Sequence, residues 1–171
     1  DVPGKYVLAI ETALGGSLQN IVTKDTDTAK AAIAMLKADK LGRATFLPLS
    51  SIVVRNNREQ LPAQAKGIIG WAHQVVQVDN AYSKVAEFLL GRTLVVDTLE
   101  NALALNKNMG QRLRIVTLEG ELLSPGGALT GGSQHHKESS FLNRREEIAQ
   151  LHQELKEKQG QGEALASQLA Q

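Results

Sequence analysis

The chain contains no cysteine in its 171 residues. That excludes disulfides, thiolate zinc sites and cysteine nucleophiles, and it fits a reducing compartment. Aromatic residues make up only 4% of the sequence, so any core is expected to be built from Leu, Ile, Val and Ala. Charge of one sign is also missing. The formal net charge is +1, so a nucleic-acid or membrane site has to be a local patch rather than a property of the whole surface. No apolar run reaches the roughly 18 residues of a membrane span. The opening Asp1-Val2-Pro3-Gly4 lacks the charged and apolar regions of a signal peptide. It reads as a cut inside a longer protein.

What is present is enough for one domain or two small subdomains, and the chain repeats itself. Tyr6, Glu11, Leu14 and Gly15 recur as Tyr82, Glu87, Leu90 and Gly91, an offset of 76. Both segments read as short amphipathic helices ending at a glycine cap. Val7, Ile10, Ala13 and Leu14 carry the first, and Val85, Ala86 and Leu89 the second. A strand-helix-strand pattern follows each. In the first half, Asn20–Val22 reads as a strand and Asp27 as the cap of a helix over Thr28–Asp39. That helix carries Ala29, Ala32, Ile33 and Leu36 on one face, and Ala44–Leu49 is the next strand. In the second half, Thr93–Val96 reads as a strand and Leu99–Lys107 as a helix capped by Asp97, burying Leu99, Ala102 and Leu103. Leu113–Leu118 then turns through Glu119-Gly120 onto Glu121–Leu123 as a hairpin. Residues 50–80 read as an irregular connection with buried material in Ile68, Ile69, Trp71, Val75, Val76 and Val78.

From Phe141 onward the composition changes to Glu, Gln, Lys and Leu. Ile148, Leu151, Leu155, Leu165 and Leu169 fall on a heptad seam that weakens at Lys158 and Gly162. A helix over this stretch would run about 45 Å and cannot bury that seam alone. The natural partner is a strand upstream of Asp1.

Between hairpin and tail lies Gly126-Gly127-Ala128-Leu129-Thr130-Gly131-Gly132. Paired glycines suit a surface where main chain meets main chain or a ligand. A phosphate loop would need a Lys-Ser/Thr pair opening a helix after its glycines, but Ser133-Gln134 follows. The spacing also fails the dinucleotide fingerprint. Adjacent His135 and His136 have no helix-spaced histidine-glutamate set around them, and no nucleophile-base constellation is visible, so neither a metal nor a catalytic residue is expected. The few rings open to base stacking, Tyr6, Tyr82, Phe46, Phe141 and Trp71, mostly read as core.

Several stretches together carry a family signature. They are Ala9-Ile10-Glu11-Thr12-Ala13-Leu14-Gly15-Gly16, Gly42-Arg43-Ala44-Thr45-Phe46-Leu47-Pro48-Leu49, Leu90-Gly91-Arg92-Thr93-Leu94-Val95-Val96-Asp97, Arg114-Ile115-Val116-Thr117-Leu118-Glu119-Gly120, and the glycine motif. In this order they resemble the hinge domain of bacterial structural maintenance of chromosomes (SMC) proteins, from Tyr6 to the start of the tail. The resemblance implies an α+β fold of two similar subdomains in pseudo-two-fold arrangement, at 1–79 and 80–140. The beginning of a C-terminal coiled-coil arm follows at 141–171. It implies a ring-like homodimer with two interfaces, Gly126, Gly127, Gly131 and Gly132 lying at the contact. It also implies DNA contact just after the last glycine pair, at His135, His136 and Lys137. Two of these three are histidine, so phosphate affinity should rise below about pH 6.5. Arg144 and Arg145 could share that load against Glu138, Glu146 and Glu147. A second basic candidate, Lys37, Lys40, Arg43, Arg55, Arg58 and Lys66 against Asp39 and Glu59, carries 6 − 2 = +4.

By the same resemblance this fragment is no enzyme and takes no cofactor. The ATPase activity and kleisin-type subunits would belong to heads outside it, its coiled-coil partner would be the upstream strand of the same protein, and its place would be the cytoplasm, on the nucleoid. Two rivals stay open: a monomeric DNA-binding module, and an α/β nucleotide-binding domain using the glycine loop.

Overall fold

The structure, a computed structural model, describes residues 1–54, 59–62, 65–132, 148 and 151–161. Two units emerge, Asp1–Gln134 and His135–Gln171. In the first unit, α1 spans Val7–Leu14, β1 Ile21–Thr23, α2 Thr26–Ala38, β2 Phe46–Pro48, β3 Ile68–Trp71 and α3 Ser83–Leu90. Then come β4 Thr93–Val96, α4 Leu99–Asn108, β5 Arg114–Thr117, β6 Leu122–Leu123 and β7 Leu129–Thr130. Helices and strands are mixed, as expected of an α+β chain.

The repeated segments occupy matching elements. α1 and α3 begin at residues 7 and 83, and 83 − 7 = 76 is the offset of the sequence repeat. Each is followed by a strand, a crossover helix and a second strand parallel to the first: β1 with β2, and β4 with β5. The first pair stops at two strands, whereas the second extends into a five-stranded sheet in the order β3-β4-β5-β6-β7. Thr93–Val96 is at most 2% exposed at every position, the mark of a strand covered on both faces. α4 packs against β4 and β5, while α1, from the other half of the chain, packs against β5 and α3. Leu94, Val96, Ala102, Leu105, Leu113, Ile115 and Leu123 form the core cluster.

Several local expectations are corrected. Asp25, not Asp27, caps α2; its carboxylate accepts the Thr28 N–H at 2.8 Å and the Thr28 hydroxyl at 2.7 Å. Asp27 falls in the first turn, where its charge still suits the helix dipole. Thr98, not Asp97, caps α4. Leu103 is 46% exposed, and Leu105 takes its place in the core, because Leu99, Ala102 and Leu105 lie along one helical face. Ile33 is exposed rather than buried, since a two-stranded sheet cannot cover a 13-residue helix. Val78 is exposed as well, and Ile68–Trp71 is a true strand inside the stretch read as irregular. Helix α3 ends at Gly91 in right-handed conformation (φ −65°), so no left-handed cap is needed there.

The carboxyls of Asp25 and Asp97 both lie below the ordinary carboxylate range. The Thr28 N–H and hydroxyl lower the first; the Asn101 amide and the Thr98 N–H lower the second. Through the acid range the folded chain thus binds fewer protons than the unfolded one. The stability they contribute is present above about pH 4 and lost below it. Replacing both with alanine should shrink the drop in melting temperature between pH 5 and pH 3. An unchanged drop would remove these two carboxylates from the acid response.

In the second unit, residues 151–161 are helical. Ile148, Leu151 and Leu155, three positions of the proposed seam, are 54%, 56% and 55% exposed. Gly162, Leu165 and Leu169 lie outside the described residues.

Candidate functional site

The hairpin after β5 brings the glycine motif to the outer end of the five-stranded sheet. β6 pairs with β7 through Leu122–Thr130 and Leu123–Leu129. The turn between them is closed by Ser124 N–H to Ala128 O at 2.8 Å and Gly127 N–H to Ser124 O at 3.0 Å. A third bond, Gly126 N–H to Gln111 O at 2.8 Å, ties the turn to the end of α4. Gln111 itself is held at φ +58°.

Three of the four glycines are demanded by their own backbone conformation. Gly126, Gly127 and Gly132 sit at φ +90°, +92° and +134°, where a side chain is strained. A Cβ on Gly127 would also stand 2.9 Å from Gln111 Oε1. Gly131 differs. Its φ lies outside that region, and a Cβ there meets only the Glu121 side chain, at 3.2 Å. Alanine at the first three therefore strains the local backbone whether or not another chain approaches.

The more telling feature is β7, which sequence reasoning passed over because two strand residues between glycine pairs look like part of a loop. Bonded and non-bonded pairs alternate along an antiparallel ladder. Ser124 and Ala128 form a bonded pair, so Thr130 opposite Leu122 also turns its N–H and C=O toward β6. Leu129 then turns its N–H and C=O away from the sheet. Among the described residues β7 is the last strand in the order, and the Leu129 side chain is 51% exposed. An open edge with an apolar side chain on it is a template for another strand. The first half offers a matching deficiency. The two-stranded β1–β2 sheet leaves Ile21 and Val22 exposed by 46% and 38%, and Ile33 and Met35 of α2 by 40% and 55%.

His135, His136, Lys137, Arg144 and Arg145 lie outside the described residues, as do Arg55 and Arg58. Lys37, Lys40, Arg43 and Lys66 are exposed. Among the described residues no cluster of His, Asp and Glu could hold a metal ion, and no helix is long and apolar enough to cross a membrane. The two displaced carboxyls, Asp25 and Asp97, are not among the residues of the glycine edge.

A family model described as the SMC proteins flexible hinge domain matches residues 1–106. The chromosome partition protein Smc of Desulfitobacterium hafniense is 44% identical over 163 residues, which cover 94% of this chain and 13% of that protein. Its counterpart in Bacillus subtilis is 42% identical over 156 residues, 90% of this chain and 13% of that one. The chain thus spans a small fraction of its curated relatives. Among solved structures, an asymmetric dimer of the Geobacillus stearothermophilus SMC hinge domain matches at TM-score 0.75 and 39% identity, covering 94% of this chain and 65% of that one. The Pyrococcus furiosus SMC hinge domain matches at TM-score 0.61 and 34% identity, covering 83% and 74%.

Proposed function

The chain belongs to the SMC hinge family, and we propose that it is the homodimerisation hinge of a chromosome-partition ATPase. Its role is mechanical rather than catalytic: it joins two coiled-coil arms at the end of the molecule far from the ATPase heads. The observation that carries this reading is the outward-facing backbone of Leu129 on β7, beside the glycine motif. Each copy has one such edge and one under-built two-stranded sheet. In a two-fold pair, β7 of either copy can add to the β1–β2 sheet of the other, which yields two equivalent contacts and a closed ring. Gly126 and Gly127 shape the turn that presents β7, and Gly131 leaves the edge bare.

The two helix-strand-helix-strand halves support a pseudo-two-fold arrangement of subdomains at 1–79 and 80–140. The exposed Leu151 and Leu155 suit an arm at 141–171 paired with the upstream strand of the same protein. DNA contact is assigned to His135, His136, Lys137, Arg144 and Arg145. Entrapment of DNA, ATP hydrolysis and kleisin binding are assigned to the whole protein, on the nucleoid in the cytoplasm.

Leu129→Pro tests the dimer. Proline removes the outward N–H of an edge strand and no bond within the sheet. Light scattering should give twice 18.4 kDa for the parent and a folded species of half that mass for the variant. A parent that stays monomeric at micromolar concentration sinks the proposal. A variant that stays dimeric moves the association to the exposed tail seam.

A further inference from the structure

A carboxylate stands where the sheet leads from its core to its open edge. The register pairs Ile115 with Leu123, and Leu123 with Leu129, so these three side chains form one row across a face of the sheet. Two residues along each strand the same face recurs. There the Thr117 N–H donates to the Glu121 carbonyl at 2.9 Å, and Gly131 follows Thr130, the partner of Leu122. Thr117, Glu121 and Gly131 thus form the next row. Thr117 is fully buried, Glu121 is half-buried, and the row ends on a residue with no side chain. Thr130 and Leu122 are a bonded pair, so Gly131 and Glu121 are a non-bonded one, the kind whose Cα atoms come closest.

Two contacts hold the Glu121 side chain along this row. Its carboxylate accepts the Thr117 hydroxyl, whose oxygen in turn accepts the Glu121 N–H at 3.1 Å. Its stem crosses Gly131, where a Cβ would stand 3.2 Å from Glu121 Cγ and 3.8 Å from Glu121 Cβ. The turn that carries Glu121 is fixed independently. Gly120, at φ +84°, packs against α1, and a Cβ there would stand 3.0 Å from Leu8 Cγ and 3.2 Å from Thr12 Oγ1. β7 itself has two residues and, among the described residues, a single neighbouring strand. So short a strand, paired on one side, is marginal by its ladder alone. A hydrogen bond to a charged group is among the stronger supports available to it.

We propose that Glu121 is the positioning residue of the β7 edge. Clasped to Thr117 and laid across Gly131, it fixes the end of β7 and with it the direction in which Leu129 offers its N–H and C=O. The consequence for association rests on the reading of β7 as the contact between copies; the clasp itself does not.

Hydrogen exchange on the whole chain reads the edge directly. The Thr130 amide, which faces β6, is the reporter, and the amides of β4 are the reference for the intact fold. In Glu121→Ala the Thr130 amide should exchange roughly ten-fold faster, the loss expected for one hydrogen bond to a charged group, while β4 keeps the parent's rate. Glu121→Gln retains both an acceptor and the stem, and should restore most of the protection. Thr117→Val removes the same bond from its other end with little change of shape. The double variant Thr117→Val/Glu121→Ala should therefore expose Thr130 little more than the worse of the two single changes. Light scattering across a dilution series of the same samples should show the Glu121→Ala dimer dissociating at roughly ten-fold higher concentration than the parent's. Unchanged exchange at Thr130, no rescue by glutamine, or additive losses in the double variant overturn the proposal. Faster exchange at Thr130 with an unchanged dimer leaves the clasp standing and overturns the reading of β7 as the contact.

Discussion

Truncating Ile115 to alanine is expected to cost about 4 kcal/mol, near the upper end for a buried aliphatic side chain. Ile115 is fully buried in β5, opposite Leu94 on one side and Leu123 on the other. It belongs to the cluster that joins β4, β5, β6 and α4. Neighbouring strands and a helix cannot collapse onto the vacancy without breaking ladder bonds, so most of the cavity should persist. A domain of this size holds about 5–15 kcal/mol in total, and the melting temperature should drop by about 10 °C or more. Leu103→Ala is the control. It removes a similar volume from α4 at a position that is 46% exposed, and it should change stability by less than about 1 kcal/mol. Equal losses in the two variants would refute the helix orientation described above. The Ile115 variant should also loosen β6 and β7, which are anchored to the core through β5, so the proposed dimer should come apart at higher protein concentration than in the parent.

Gly67→Ala should be the second most damaging change, at about 3 kcal/mol, as expected when strain and a displaced polar network combine. Gly67 sits at φ +75°, and a Cβ there would run into the Asp97 carboxylate and the Asn101 amide. Those two groups already serve the chain. Asp97 Oδ1 accepts the Thr98 N–H at 2.6 Å and the Asn101 side-chain amide at 2.8 Å, while the Asp97 N–H donates to the Gly67 carbonyl at 2.9 Å. The added methyl therefore strains its own backbone and pushes apart the bonds that fix the start of α4. Combining Gly67→Ala with Asp97→Ala should restore part of the loss, because the collision disappears while the backbone strain remains. Gly16→Ala, with open space around it and no unusual φ, should be nearly neutral in thermal denaturation. A Gly67 variant as stable as the Gly16 variant would overturn this account.

The strongest elements were readable from residue order because their patterns are redundant. Thr93–Val96 is four apolar or β-branched residues between Gly91-Arg92 and Asp97-Thr98, and it forms a strand with those bounds. The hairpin through Glu119-Gly120 and the repeat of Tyr6, Glu11, Leu14 and Gly15 also landed on real elements. The helix caps were misplaced because Thr23-Lys24-Asp25-Thr26-Asp27-Thr28 offers five residues of capping type in six positions. Only the extended conformation of Asp25 selects among them. The alternation Ala102-Leu103-Ala104-Leu105 likewise puts a leucine on each side of α4, and the sheet beneath decides which is buried. β3 and β7 escaped notice because glycine interrupts one and brackets the other. At the glycine motif, three of the four glycines have a reason within the monomer that no spacing reveals. A cavity lined by Trp71, Phe88, Arg92 and Arg112 was invisible for a simpler reason: β3, the α3–β4 junction and the start of β5 meet only through the sheet.

The placement of α1 has a consequence for how the protein is born. α1 leaves the ribosome well before the strand it covers. The Arg114 guanidinium reaches back to the Ala13 carbonyl across 101 residues. At synthesis rates of roughly 5–20 residues per second, that strand appears about 5–20 s after the helix. Until then Val7, Ala9, Ile10 and Ala13, buried in the finished protein, have no sheet to rest on. The β1–α2–β2 segment, local in sequence, can form during that interval. The five-stranded sheet becomes complete only when the last strand has emerged, the one that bears the glycine edge. Nascent chains on neighbouring ribosomes thus present no β7 edge until the strand that α1 covers has also emerged.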